Sequence, residues 1–322
     1  MKLLTEDLKG NRLPLIIFCA VAALLLVFMI IGTFFDYQIA LGMAAPYRGF
    51  FYYGFGMTFE VFGFLPAILV NVCLFAVLSV YSKRKVSKIA FHICTAMTLA
   101  GAAFCAVFWT LSNHGFSVSR AIVGSVTPIA GIGLSFPVIM FFKRFDDEKL
   151  KKLIYVLAIA AVLGFLANAT SAVMQLTWGR YRFYQVTQND LPYSPWYQPM
   201  GRGGTAESRH GSNSFPSMHA TSVASSIALV LVAWVLKVKK MTKIAFFAVA
   251  CVMLVAVPLS RMVLGWHYLT DVIFSLIIGM IAFVVGIVVI DKGFGKKFRK
   301  FIEKSEEDSE IAVKKEEIKE LV

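Results

Sequence analysis

PLIIFCAVAALLLVFMIIGTF, residues 14–34, runs through twenty-one positions without one charged side chain. A helix needs about 20 such residues to cross the hydrocarbon of a bilayer. In lipid the backbone must satisfy its own polar groups, and a single segment does so only as a helix. The run is too long for the apolar core of a secretion signal, so it reads as a retained membrane helix. Similar runs follow at 59–81, 89–112, 119–142, 153–176, 218–236, 243–260 and 268–290. The expected fold is therefore all-α, a polytopic membrane bundle of about eight transmembrane helices. Composition agrees: 58% of the chain is hydrophobic, 16% is charged and mean hydropathy is +0.72, too apolar for a soluble domain of this length.

The net charge of +13 looks at first like a nucleic-acid signal, but its distribution excludes that reading. With the N-terminus inside, segments 1–13, 82–88, 143–152, 237–242 and 291–322, with Lys243, hold 25 of the 32 lysines and arginines, including every lysine. The opposite side holds seven, all arginine. This is a positive-inside pattern, and it places both termini in the cytoplasm of a multi-pass cell-membrane protein. Three parts follow: four N-terminal helices (1–152), four helices that carry the chemistry (153–290) and a charged cytoplasmic tail (291–322). The tail's KKFRKF (296–301) reads equally as a headgroup contact or a solvated end. Cys19, Cys73, Cys94, Cys105 and Cys251 fall within expected spans, without zinc-ligand spacing, and read as small buried hydrophobes. No metal and no cofactor is expected.

Three segments on the extracytoplasmic side carry unusual polar residues: Arg180 and Arg182, SFPSMHATS (214–222) and SRMVLGWHYLTD (260–271). Alternating topology lets them converge. His267 and Asp271 are spaced i, i+4, so they share a helix face. The carboxylate can accept the imidazole Nδ1–H, which leaves Nε2 as a lone-pair nucleophile or base. Taken alone, the pair reads equally well as a cap at the membrane interface. Arg261 and Arg182 suit a phosphate. Pro216, Ser217, Met218 and His219 open the sixth helix, with proline in its first turn, and the N–H groups there and the Ser217 hydroxyl offer donors to an anion. His219 would stand beside that anion, placed to protonate a leaving oxygen. Apart from Asp271, no charge is expected clearly within the spans, which speaks against a transporter or a scaffold with a degenerate site. In the long loop 177–217, Trp178 and SPWYQP (194–199) read as a lipid entrance or as interfacial anchors. His92, His114 and His210 have no assigned role; Asn168, Thr170 and Ser171 are expected to bond across helices.

PSMH followed by S-R-x5-H-x3-D resembles the type 2 phosphatidic acid phosphatase family, whose signature is K-x6-R-P, P-S-G-H and S-R-x5-H-x3-D. Ser260, Arg261, His267 and Asp271 match the third motif in full. Pro216, Ser217 and His219 match the second, with Met218 in place of glycine. In the first, Arg182 holds the arginine position, while Gln175 and Phe183 replace lysine and proline. The resemblance implies a metal-independent phosphatase of lipid phosphates or pyrophosphates at the outer membrane face. It implies His267 as nucleophile, Asp271 as its support and His219 as acid and then base. Arg182, Arg261, Ser217, Ser260 and the Met218 N–H would hold the phosphate, with Gln175 and Arg180 as further contacts. The partners implied are a lipid phosphate and the bilayer, not nucleic acid. A lipid phosphotransferase using the same histidine is the rival enzyme. The lipid and the oligomeric state are not legible.

Overall fold

The computed structural model describes residues 13–45, 49–113, 120–199, 213–236 and 238–292, and among these every regular element is helical. In chain order they are α1 (Leu13–Met43), a π-helical turn (Tyr52–Met57), α2 (Thr58–Phe62), α3 (Leu65–Tyr81), α4 (Lys85–Asn113) and α5 (Arg120–Phe142). Then come α6 (Asp147–Trp178), α7 (Phe183–Gln188), α8 (Met218–Val223), α9 (Ser226–Val235), α10 (Lys240–Val263) and α11 (Leu269–Lys292). Residues 20–283 form one compact unit; the other unit comprises 1–19 and 284–322. All that follows concerns the first.

Five helical stretches are long and apolar enough to cross a membrane: Cys19–Met43, Tyr52–Tyr81, Lys85–Phe104, Asp147–Gln188 and Lys240–Val263. Val126–Phe142, Met218–Ala233 and Leu269–Val285 are shorter apolar helices. Each expected span thus has a helical counterpart among the described residues. The sixth is the clearest departure. Expected to be continuous over 218–236, it breaks into α8 and α9, where Ala224, Ser225, Ile227 and Ala228 bond three residues back rather than four. Pro216 also lies ahead of the helix, whose N-cap is Ser217, and not in its first turn. The segment 35–58, which joins the first two expected spans, is largely helical: α1 runs on to Met43, and the π-helical turn packs Tyr52 and Met57 against Leu264.

α6 shows how local sequence places the ends. Asp146 caps it by accepting from the Lys149 N–H at 2.8 Å, with Asp147 and Glu148 in the first turn, where acidic groups meet the positive end of the helix dipole. Apolar residues of α3, α5, α6 and α9 pack near that end, with Val77, Phe142, Leu150, Leu153 and Val232 buried. Arg180, Arg182 and the other chemistry-bearing residues gather at the opposite end, about 33 Å further along α6 from Leu153 to Gln175. The basic connections 82–88, 143–152 and 238–243 share the Leu153 end of these helices.

Candidate active site

α10 ends at Val263 with Leu264 as its C-cap, and Gly265 takes φ +67°, a left-handed turn that a side chain resists. That turn leads to Trp266 and His267 just before α11. Two buried carboxylates secure the start of α11. Asp271 reaches back to accept from the Tyr268 N–H at 2.8 Å, as the third residue of a capping box does. Asp36, from α1, accepts from the Thr270 N–H at 3.0 Å and from the Thr270 hydroxyl. The capping reading of Asp271 and the histidine-supporting one therefore apply together.

Between these carboxylates lies Arg180, 1% exposed. Its Nη2 donates to Asp36 at 2.8 Å and its Nη1 to Asp271 at 2.5 Å and to the Thr270 hydroxyl at 2.9 Å, while Nε donates to the Ser194 carbonyl at 3.0 Å. The Tyr268 ring covers its guanidinium at 4.1 Å. Its donors are spent on protein, so Arg180 is corrected from a phosphate contact to a clamp joining α1, the loop and α11.

His267 is 2% exposed. Its Nδ1 lies 2.6 Å from the Ser214 carbonyl and 3.6 Å from the nearer Asp271 oxygen. A carbonyl only accepts, so Nδ1 carries the hydrogen and Nε2 the lone pair. The expected tautomer is thus held by a backbone acceptor, with Asp271 flanking it rather than accepting directly. The Ser214 hydroxyl in turn lies 2.5 Å from Asp271 as its donor. Burial, opposed by Asp271, pushes the His267 imidazole down to about 4, so the ring is neutral at neutral pH.

His219 is the second residue of α8, in its first turn two positions past the N-cap Ser217. The ring of Phe64 stacks near it, with centroids 4.3 Å apart. Gly63 is there because nothing larger fits: a Cβ at that position would lie 2.6 Å from His219 Cδ2. Arg261, His267 and Arg182 lie close enough to His219 to couple with it electrostatically. These four form the centre of the site. Around them, the guanidiniums of Arg261 and Arg182 face Trp266 at 4.4 and 5.2 Å. Arg182 Nε and the buried Ser217 hydroxyl have no hydrogen-bond partner among the described residues, as groups awaiting a polar ligand would.

Other expected contacts are used differently. Gln175 Nε2 donates to the Pro216 carbonyl at 2.6 Å, pinning the loop before α8 instead of facing phosphate. The Ser260 hydroxyl donates to the Val257 carbonyl in its own helix at 2.7 Å. Ser217 N–H donates to the Asp271 carbonyl at 3.2 Å, so it is not free for an anion. Met218 is half-buried at the first position of α8. Asn168 accepts from Ser222, and Ser171 bonds Thr221, across helices; Thr170 instead bonds Leu166 in its own helix. Trp178 donates to the Trp196 carbonyl at 2.5 Å, and Trp196 to Thr33 at 3.0 Å, which ties the segment around Trp196 to α1. His92 bonds Ser135 at 3.0 Å. His114, His210, Arg202 and Arg209 lie outside the described residues.

The sequence reading missed three residues. Ser214 sat unassigned in the stretch 214–222. Asp36 lies in the connection between the first two expected spans and was given no role. Glu60 was overlooked inside the expected span 59–81, which overturns the statement that Asp271 alone lies within the spans. Glu60 is 2% exposed, with Oε1 3.1 Å from Arg261 Nη1. A carboxylate amid apolar residues needs a partner, and that rule would have flagged both Asp36 and Glu60.

A helical membrane protein that gathers two histidines and two partly uncommitted arginines at one end has the makings of a phosphate-handling enzyme. Residues 149–294 match the family model of the PAP2 superfamily, consistent with a type 2 phosphatidic acid phosphatase. No curated protein and no solved structure matches the chain. That match implies phosphatase-type activity on phosphate esters, in a protein with five helical stretches long and apolar enough to cross a membrane.

Proposed function

We propose that the protein removes phosphate from a lipid phosphate or pyrophosphate at the extracytoplasmic face, without a metal, through a phosphohistidine on His267. The observation that carries the reading is the His267 ring, whose Nδ1 is committed to the Ser214 carbonyl so that Nε2 holds a lone pair beside His219, Arg182 and Arg261. Nε2 attacks phosphorus, and the bond from phosphorus to the lipid oxygen breaks. His219 gives that oxygen a proton. Water then loses a proton to His219 and attacks phosphorus, and the P–N bond breaks to release phosphate and neutral His267. Arg182, Arg261 and the Ser217 hydroxyl hold the equatorial oxygens. Their charge stabilises the spread-out negative charge of the transition state. His219 has no carboxylate partner among the described residues, so the bound phosphate itself supplies the negative charge that favours its protonated form. The outer-face assignment rests on the basic connections, which share the helix ends opposite the site.

Phosphate release from a panel of lipid phosphates tests this. Wild-type protein is expected to turn over at least one lipid in the presence of a chelator, and His267→Ala to lose at least about a thousandfold. Full activity in His267→Ala rules out the nucleophile. Abolition by chelator rules out the metal-free route. Adding a lipid or sugar alcohol and finding phosphorylated acceptor in place of free phosphate would mark a transferase instead.

A further inference from the structure

Two arginines of this molecule face carboxylates, and they do so in opposite ways. Arg180 places four of its five N–H donors in hydrogen bonds to protein. Arg261 is as deeply buried, yet its Nε and Nη1 have no hydrogen-bond partner among the described residues, and neither oxygen of Glu60 has one. The two groups approach to 3.1 Å without hydrogen-bond alignment. The ion pair holds one side of the guanidinium and leaves Arg261 Nε open to a further polar group. The nearest lysine or arginine to Glu60 along the chain is Arg48, twelve positions away, so the pairing is set by the fold. Glu60 also belongs to the turn that packs Gly63 and Phe64 against His219. Arg182 feels the same carboxylate.

We infer that Glu60, which lies outside the segment 149–294 matched by the family, is a positioning residue for the phosphate site. It holds the Arg261 guanidinium to one side and offsets one positive charge of the cradle. The inference rests on the phosphate reading of the site given above. With Gln175 in place of a lysine, Arg182 and Arg261 are the cations beside His219. Glu60 lowers their combined pull on a bound anion, which keeps product phosphate from binding too tightly. Positioning and charge offset make a distinctive pair of consequences. Removing the carboxylate charge should tighten the site on phosphate while loosening the guanidinium needed in the transition state.

The test compares full-length wild type, Glu60→Gln and Glu60→Asp in detergent. Inorganic phosphate affinity is read from the ligand-induced shift in melting temperature, and kcat from a lipid phosphate that the wild type turns over. Glu60→Gln is expected to bind inorganic phosphate roughly tenfold tighter with kcat at least about tenfold lower. Glu60→Asp keeps the charge but retracts it, so its phosphate affinity stays within about twofold while kcat falls. Unchanged phosphate affinity in Glu60→Gln, or affinity and kcat falling together as in general damage, overturns the inference. Should Glu60→Gln not fold, a Glu60→Asp protein with wild-type kcat overturns it equally. If the wild type hydrolyses no lipid phosphate, the hydrolase reading fails, and the inorganic phosphate comparison still decides the role of Glu60.

Discussion

At the residue scale, the site depends on how each imidazole is held. The His267 ring is neutral because burial disfavours its charge, and the pH dependence should show it. A folded pKa near 4 means that the free protein keeps the lone pair on Nε2 at all pH values above that. After correction for ionisation of the substrate, the acid limb of kcat/KM is expected near pH 4 rather than 6.5. A half-maximum near 6.5 would show that the ring titrates as a solvated histidine. The i, i+4 spacing of His267 and Asp271 was legible in sequence, and Arg182, Arg261 and Ser217 could be named there as candidates to hold a phosphate. The backbone acceptor was not, because a main-chain carbonyl at residue 214 has no signature in residue type. Arg180 and Arg182, two positions apart and chemically alike, could not be told apart until the fold placed a carboxylate on either side of one of them.

At the element scale, apolar periodless runs announced the helices well, because lipid leaves the backbone few alternatives. Breaks within them were harder to read. The division between α8 and α9 arises among small residues, Ala224 and Ser225, that continue a helix or end it with equal ease. The turn after α2 is better defined by its packing, since Gly63 meets the ring of His219. Gly63→Ala is expected to push His219 off its position and lower kcat about a hundredfold, with helix content by circular dichroism unchanged. Wild-type kcat in that variant would mean that this turn does not hold the imidazole.

At the scale of the whole molecule, the segment that matches the family is not self-sufficient. Its Arg180 relies on Asp36 of α1, and its Arg261 faces Glu60 of α2. Breaking a buried ion pair by removing one partner costs about 3–5 kcal/mol, because the remaining charge stays buried without compensation. Asp36→Asn should therefore lower thermal stability in detergent by that order, and an unchanged melting temperature would show that Asp271 alone neutralises Arg180. Charge counting along the chain gave the sidedness of the basic connections. It could not give these pairings, which join residues 144 and 201 positions apart. α1 and α2, silent in the motif, are thus structural counterparts of Arg180 and of the Arg261 that the motif names.

The Ser214 carbonyl carries one more implication. It belongs to the main chain, so no substitution at position 214 deletes it. Evolution and mutagenesis can strip the charge from Asp271 or the hydroxyl from Ser214, yet the imidazole keeps an acceptor that is common to all twenty amino acids. Orientation of the ring is in that sense inherited from the path of the chain, and only its electrostatic support is open to revision by point mutation.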